Sequence, residues 1–199
     1  MSIYILRHGQ TPGNAARVLQ TPDVPLSLQG REQARRAAGR IAAAGVARIL
    51  SSDFTRAAET ALLLREATGA PLEFEPLLQE RNLGELRGRA YAELDFDVFA
   101  PDYQPPGGES WEVFHQRVER AWERVLACAA TTEGDLAVVT HGLVCRSLAT
   151  HQLELPEDAP LEHGFANTSL TLVEAQPPYP VRIFNCTAHL DDEVGGGVA

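Results

Sequence analysis

Two short segments carry residues that could do chemistry together: Arg7-His8-Gly9 near the start and Thr140-His141-Gly142 in the last third of the chain. Each places an imidazole just before a glycine, where a β-prone apolar run stops: residues 3–6 before the first and 136–139 before the second. A guanidinium beside an imidazole disfavours the protonated ring, which leaves a ring nitrogen free as nucleophile or base near pH 7. The same arginine repels a metal cation. Neither histidine has further ligands at zincin or H-x-E spacing, so an anion is the better guest, and no metal and no cofactor are expected. Neighbouring strand side chains point to opposite faces, so Arg7 and His8 share a site only if the chain bends where the strand ends, and Gly9 permits the bend. A helix after His141-Gly142 would aim its N–H groups and positive dipole end at the same anion. Each tripeptide is weak alone, since a lone histidine is more often an ordinary core or surface residue. Their recurrence at two strand ends is what raises the odds.

The elements that must hold these residues follow from periodicity. Residues 3–6 read as a buried strand, and 28–44 as a helix with Ser27 as N-cap and Gly45 past its end. Residues 46–50 read as a second strand, and 54–68 as a helix that Ser51-Ser52-Asp53 can cap, with Gly69 at its end. Residues 72–74 are a candidate third strand, while 77–88 show no clear pattern. Residues 100–109, with Pro101, Pro105, Pro106, Gly107 and Gly108, read as a loop or lid. Ser110 caps a helix to about residue 130. Residues 136–139 form a further buried strand, followed by a helix to about 153, and strand-like runs lie near 169–173 and 181–184. Alternating strands and helices predict an α/β fold: one domain, a three-layer α/β/α sandwich with a mostly parallel sheet and ligands at the carboxyl ends of its strands. Residues 191–199 read as a loose acidic and Gly-rich tail.

Composition narrows the function classes. The chain has 199 residues and all 17 of its cationic Lys/Arg side chains are arginine, so Schiff-base chemistry and a P-loop lysine have no residue to use. Against them stand 27 acidic residues, giving a net charge of −10, and a field of that sign repels nucleic acid and anionic membranes. Neither is expected as a partner, and any phosphate must be bound locally. Three cysteines without a C-x-x-C pair form neither a disulfide framework nor a zinc knuckle. The apolar start is too short for a signal h-region and no later run is long enough to span a bilayer, so a cytoplasmic location is expected.

Further blocks stand in order along the chain. Arg7-His8-Gly9-Gln10-Thr11 is followed by Asn14, Gln20 and Asp23-Val24-Pro25-Leu26-Ser27; then come Ser51-Ser52-Asp53 with Arg56-Ala57 and Glu59-Thr60, and Glu80-Arg81 with Gly84. Gly107-Gly108-Glu109-Ser110, Thr140-His141-Gly142, Asn185 and His189-Leu190 complete the series. Together these resemble the histidine phosphatase superfamily in its phosphoglycerate mutase-like branch, over most of the chain. The resemblance implies a single domain over residues 1–190, with 90–109 as lid or insert. It implies that His8 attacks phosphorus in line and that water hydrolyses the phosphohistidine, without metal or cofactor. Arg7, Arg56 and His141 would stabilise the phosphoryl charge, with Asn14, Gln20 and the Gly142 N–H completing the cradle. Glu80 matches the position of the general acid and base, a role that requires a protonated carboxyl at the first step.

Taken one at a time, Arg56 near Glu59 and Glu80 beside Arg81 read equally as solvated ion pairs. Asn14 suits a turn, and Gln20 sits in a Pro-rich loop. Cys145 reads as core, and His115, His151 and His163 as ordinary core or surface histidines. Gly13 and Leu86-Arg87 depart from the family pattern and touch the expected pocket rim. Tyr91, Phe96, Phe99, Tyr103 and Trp111 could line a lid, although aromatic residues at such spacing more often form core. The stretch from Glu80 to His141 is short beside the mutases, which favours hydrolysis of a small phosphorylated substrate. A 2,3-bisphosphoglycerate-dependent phosphoglycerate mutase and a catalytically idle phospholigand-binding module are the alternatives, and the oligomeric state is left open, a homodimer being one option.

Overall fold

The computed structural model describes residues 1–191; the acidic, Gly-rich end expected to form a tail lies, from residue 192 on, outside the described residues. The elements in chain order are β1 (Ser2–Arg7), α1 (Pro12–Ala15), α2 (Leu28–Ala43), β2 (Val46–Ser51), α3 (Thr55–Thr68), β3 (Leu72–Phe74), α4 (Trp111–Ala130), β4 (Asp135–Thr140), α5 (Gly142–His151), β5 (Leu170–Glu174) and β6 (Val181–Cys186). The sheet has strand order β3-β2-β4-β1-β5-β6. Pairings β3-β2, β2-β4 and β4-β1 are parallel, whereas β1-β5 and β5-β6 are antiparallel. Only β5 runs against the others, since β6, antiparallel to β5, runs with β1; the mostly parallel α/β sheet expected from the sequence is present with one reversed strand.

Strand alternation divides the apolar residues between two cores. From β1 and β4, Ile3, Ile5, Leu136 and Val138 pack under α4 and α5 against Phe114, Val118, Trp122 and Leu148. Leu6, Ala137 and Val139 point the other way and pack under α2 and α3 against Ala37, Ile41, Ala57, Ala61 and Leu64. Alanines on that second face let the helices approach closely. The central strands are thus apolar on both sides, which explains why they read as continuous hydrophobic runs rather than alternating ones.

Two of the three expected caps are present. Ser27 and Ser110 accept from the backbone N–H groups of Gly30 and Val113, and so cap α2 and α4 as expected. At α3 the N-cap is Phe54, which makes no side-chain cap bond. Asp53 instead accepts from Gln79 Nε2, and Ser52 turns inward.

The segment after β3 builds a small third core around Leu19, which follows α1, from Leu83, Leu86 and Val98, joined by Tyr91, Leu94 and Tyr103. Arg81, 1% exposed, holds it together by donating to the carbonyls of Val98, Tyr103 and Glu109, with its guanidinium 3.8 Å from the Trp111 ring centre. It forms no ion pair with Glu80, so the solvated-pair reading of those neighbours is corrected: desolvating a guanidinium demands several fixed acceptors, and three carbonyls supply them.

The loop after β1 is wedged against α2. A Cβ at Gly30 would lie 1.9 Å from the Gln10 carbonyl oxygen, and one at Gly9 would lie 2.4 Å from the Gly30 oxygen. Backbone meets backbone here, so nothing can swing aside. Gly30→Ala is expected to cost ~1–3 kcal/mol or more through overpacking. A unfolding midpoint in urea equal to that of the parent protein would contradict this.

Candidate active site

β1 and β4 are adjacent and parallel, with Arg7 in register with Thr140, so the residues just past each strand fall side by side. The His8 N–H donates to the Thr140 carbonyl at 2.9 Å, and the His8 and His141 ring centres are 5.2 Å apart. The bend expected at Gly9 is present and pinned: the Gly9 N–H donates to Thr60 Oγ1, whose hydroxyl in turn donates to the Arg56 carbonyl. Arg7 and His8 consequently line one cavity of about 440 Å³ together with Asn14, Gln20, Arg56, Glu80 and Gly142. His141 lies just behind it, fully buried.

The hydrogen bonds select one form of His8. Nδ1 is 2.7 Å from the Gly9 carbonyl oxygen, an acceptor only, so Nδ1 carries the proton. Arg56 Nε donates to Nε2 at 3.2 Å, which requires a lone pair there. Burial first, then Arg56 and Arg7, holds the His8 pKa well below that of an ordinary histidine. The ring is therefore neutral and its Nε2 is nucleophilic. His141 is displaced in the same direction, by burial first and then by Arg56, His8 and Arg7.

Arg56 is 2% exposed, and its Nη1 donates to the Thr21 carbonyl. It does not pair with Glu59, which accepts from Arg31 and from the Leu26 N–H. The surface ion-pair reading is overturned because Arg56 sits on the inward face of α3. Burial lowers its pKa to about 10, which still leaves it charged at neutral pH. Arg7 donates through Nη1 to the Phe165 carbonyl, while its Nε finds no partner. Gly142 lies against that guanidinium, and a Cβ there would meet Arg7 Nε at 3.4 Å, an ordinary van der Waals contact.

Asn14 and Gln20 are held rather than loose. Asn14 Oδ1 accepts from the Thr11 N–H and from Asn167 Nδ2, and Gln20 Oε1 accepts from Thr11 Oγ1 at 2.6 Å. With both oxygens engaged, each side chain has its amide N–H groups left to offer. Glu80 is held at both carboxylate oxygens, accepting from the Arg81 N–H at 3.1 Å and from the Leu143 N–H at 3.3 Å. The second donor lies in the first turn of α5.

Four residues of this cluster carried no role in the sequence reading. Ser52 Oγ lies 2.8 Å from His141 Nε2 and accepts from the Phe54 N–H. With the Ser52 hydroxyl donating to Nε2, His141 Nδ1 keeps its proton, and that atom has no partner. Thr11, Thr60 and Asn167 are the others; Asn167 Nδ2 also donates to the His8 carbonyl. Ser52 and Thr60 lay inside a motif block, but Asn167 had no signal, because its contact with His8 spans 159 residues. Buried donors left over at Arg7 Nε and His141 Nδ1, beside a neutral nucleophile, are what a bound oxyanion satisfies. Among the described residues no group of three or more His, Cys, Asp or Glu side chains is placed to hold a metal ion, and no helix is long and apolar enough to cross a membrane.

Comparison with known proteins gives the family of the whole chain. The family model of the histidine phosphatase superfamily (branch 1) matches residues 3–183. A probable phosphoglycerate mutase GpmB of Proteus mirabilis is 32% identical over 186 residues, 88% of this chain and 86% of its own length. Among solved structures, a mycobacterial glucosyl-3-phosphoglycerate phosphatase is similar with a TM-score of 0.79 at 28% identity, covering 92% of this chain and 98% of its own. Bacillus stearothermophilus YhfR is similar with a TM-score of 0.81 at 30% identity, covering 96% and 99%.

Two buried neutral imidazoles make stability depend on pH. With folded pKa values depressed, the unfolded chain binds more protons than the native one as the pH falls below about 6.5, so stability decreases on the acid side. Each ring adds a slope approaching ~1.4 kcal/mol per pH unit there. Urea unfolding at pH 7.5 and 5.5 is expected to show this loss, and His141→Gln to reduce it. A stability that is level or rises on acidification would contradict the neutral-imidazole assignment.

Proposed function

Because the chain belongs to the histidine phosphatase superfamily, we propose that it hydrolyses small phosphomonoesters through a phosphohistidine on His8, without a metal. The observation that carries the reading is the protonated Nδ1 of His8 on the Gly9 carbonyl, which leaves the Nε2 lone pair directed at Arg56. An ester phosphoryl group binds at Arg7, Arg56 and His141, with the amides of Asn14 and Gln20 and the Gly142 N–H as further donors. Charge in the loose phosphoryl transition state spreads over three equatorial oxygens, so fixed donors do most of the work.

Nε2 attacks phosphorus as the ester P–O bond breaks. The leaving alkoxide takes a proton from the Glu80 carboxyl, leaving a carboxylate and a phosphorylated ring whose Nδ1 proton stays on the Gly9 carbonyl. The Glu80 carboxylate then removes a proton from water, the hydroxide oxygen bonds to phosphorus, and the P–N bond breaks back to neutral His8. Inorganic phosphate leaves and Glu80 is again protonated. One carboxyl serves both transfers because it stands beside the single site of bond change.

The names of the sequence relatives favour a second reading, phosphoglycerate mutase. That activity needs the phosphohistidine kept from water while the substrate turns over. The two readings separate by comparing phosphate release with 3-to-2 phosphoglycerate interconversion. Under the hydrolase reading release is faster, turnover of p-nitrophenyl phosphate is unchanged by EDTA, and substrate phosphate labels His8. Glu80→Gln is expected to lower kcat about 10²–10⁴-fold on poor leaving groups. Full activity in His8→Ala would overturn the proposal.

A further inference from the structure

The cavity holds more positive charge than a phosphate needs. Six guanidiniums line it, those of Arg7, Arg17, Arg56, Arg81, Arg87 and Arg146, against the single carboxylate of Glu80. Arg7 and Arg56 stand beside His8, and Arg81 is committed to backbone carbonyls. Arg17, Arg87 and Arg146 make no side-chain hydrogen bond or ion pair among the described residues. This is notable in a chain with 27 acidic and 17 basic side chains, where Arg31, Arg35, Arg48, Arg117, Arg124 and Arg182 all find carboxylates. Arg65 and Arg120 are also without such a partner, but they do not line the cavity.

These three are held at the rim by backbone. The segments bearing Arg17 and Arg87 are zipped together: the Gly88 N–H donates to the Leu19 carbonyl, Leu19 to that of Arg89, and Tyr91 to that of Arg17. Arg17 has φ of 53°, a left-handed conformation that a non-glycine residue adopts at a cost, and such positions cluster at ligand-contacting sites. Its guanidinium lies 5.8 Å from the Tyr91 ring centre, and that of Arg87 lies 5.9 Å from the Phe54 ring centre. Arg146 follows Gly142 by one turn of α5, and helical side chains lean toward the N-terminal end, here the cavity. Arg87 stands where the sequence departs from the family pattern.

We propose that Arg17, Arg87 and Arg146 form a second anion subsite, selecting phosphomonoesters whose leaving group carries a further full negative charge, a carboxylate or a second phosphate. This rests on the hydrolase reading for its chemistry, but binding tests it separately. The phosphate ester occupies the arginines beside His8, and the second anion meets the three that make no ion pair among the described residues. Neutral leaving groups gain nothing from the rim.

The test uses two matched pairs: 2-phosphoglycolate against ethyl phosphate for a carboxylate, and 1,3-propanediol bisphosphate against propyl phosphate for a second phosphate. The doubly anionic member of at least one pair is expected to have kcat/KM higher by about tenfold or more at low salt, the pair identifying which anion is preferred. The R17Q/R87Q/R146Q protein should lose that preference through KM, while kcat toward ethyl phosphate changes less than about threefold. Calorimetric binding of the same four compounds to the His8→Ala protein should show the same ranking. Equal kcat/KM and equal affinity within each pair, or a preference that survives the triple substitution, would overturn the subsite. Absent turnover of every ester with the binding preference intact would overturn the hydrolase reading alone.

Discussion

The structure turns on keeping one imidazole neutral while two guanidiniums crowd it. His8 is 2% exposed, with Arg56 Nε 3.2 Å from its Nε2 and Arg7 preceding it in the chain. In water a histidine near two cations would only drift somewhat down in pKa, but removal from solvent strengthens the repulsion and adds a desolvation cost for the cation. The Gly9 carbonyl then decides which nitrogen keeps the remaining proton. Neutrality and tautomer together leave an unprotonated Nε2 with N–H donors around it.

The fold supplies that arrangement through strand ends. Parallel pairing of β1 and β4 in register brings two His-Gly steps side by side though they are far apart in sequence. Ala-rich packing of α3 against the sheet carries Arg56 inward on the same helix face as Ala57, Thr60 and Ala61. The net charge of −10 and the arginine-lined cavity are compatible because only the local field acts on a bound phosphate, while the acidic surface pairs with other arginines outside it. Arg81 shows the opposite use of a buried guanidinium. Its donors are consumed by carbonyls of the segment it organises, so it shapes the cavity wall.

Much of this was legible in the amino-acid sequence. The two strand stops, the Ser27 and Ser110 caps and the apolar stripes of α2 and α3 follow from local periodicity, which depends on residues a few positions apart. The placement of Arg7, His8, Asn14, Gln20, Arg56, Glu80 and Gly142 around one cavity, with His141 directly behind it, agrees with the ordered motif blocks. The α3 cap was misread because Ser52 and Asp53 are good cap residues by type, yet a buried His141 and a half-buried Gln79 claimed their side chains first.

By themselves, the residues determined that an α/β sheet would present imidazole and arginine at its strand ends, since backbone propensity and spacing are local properties of the chain. Tertiary structure alone decided that Nε2 is the unprotonated nitrogen of His8, that Ser52 meets His141 and that Asn167 ties the loop after β1 to the segment before β5. It also decided which arginines are spent on carbonyls and which stand unpaired at the rim. Hydrogen-bond partners 48, 89 and 159 positions apart are chosen by packing, where burial removes water as the competing partner.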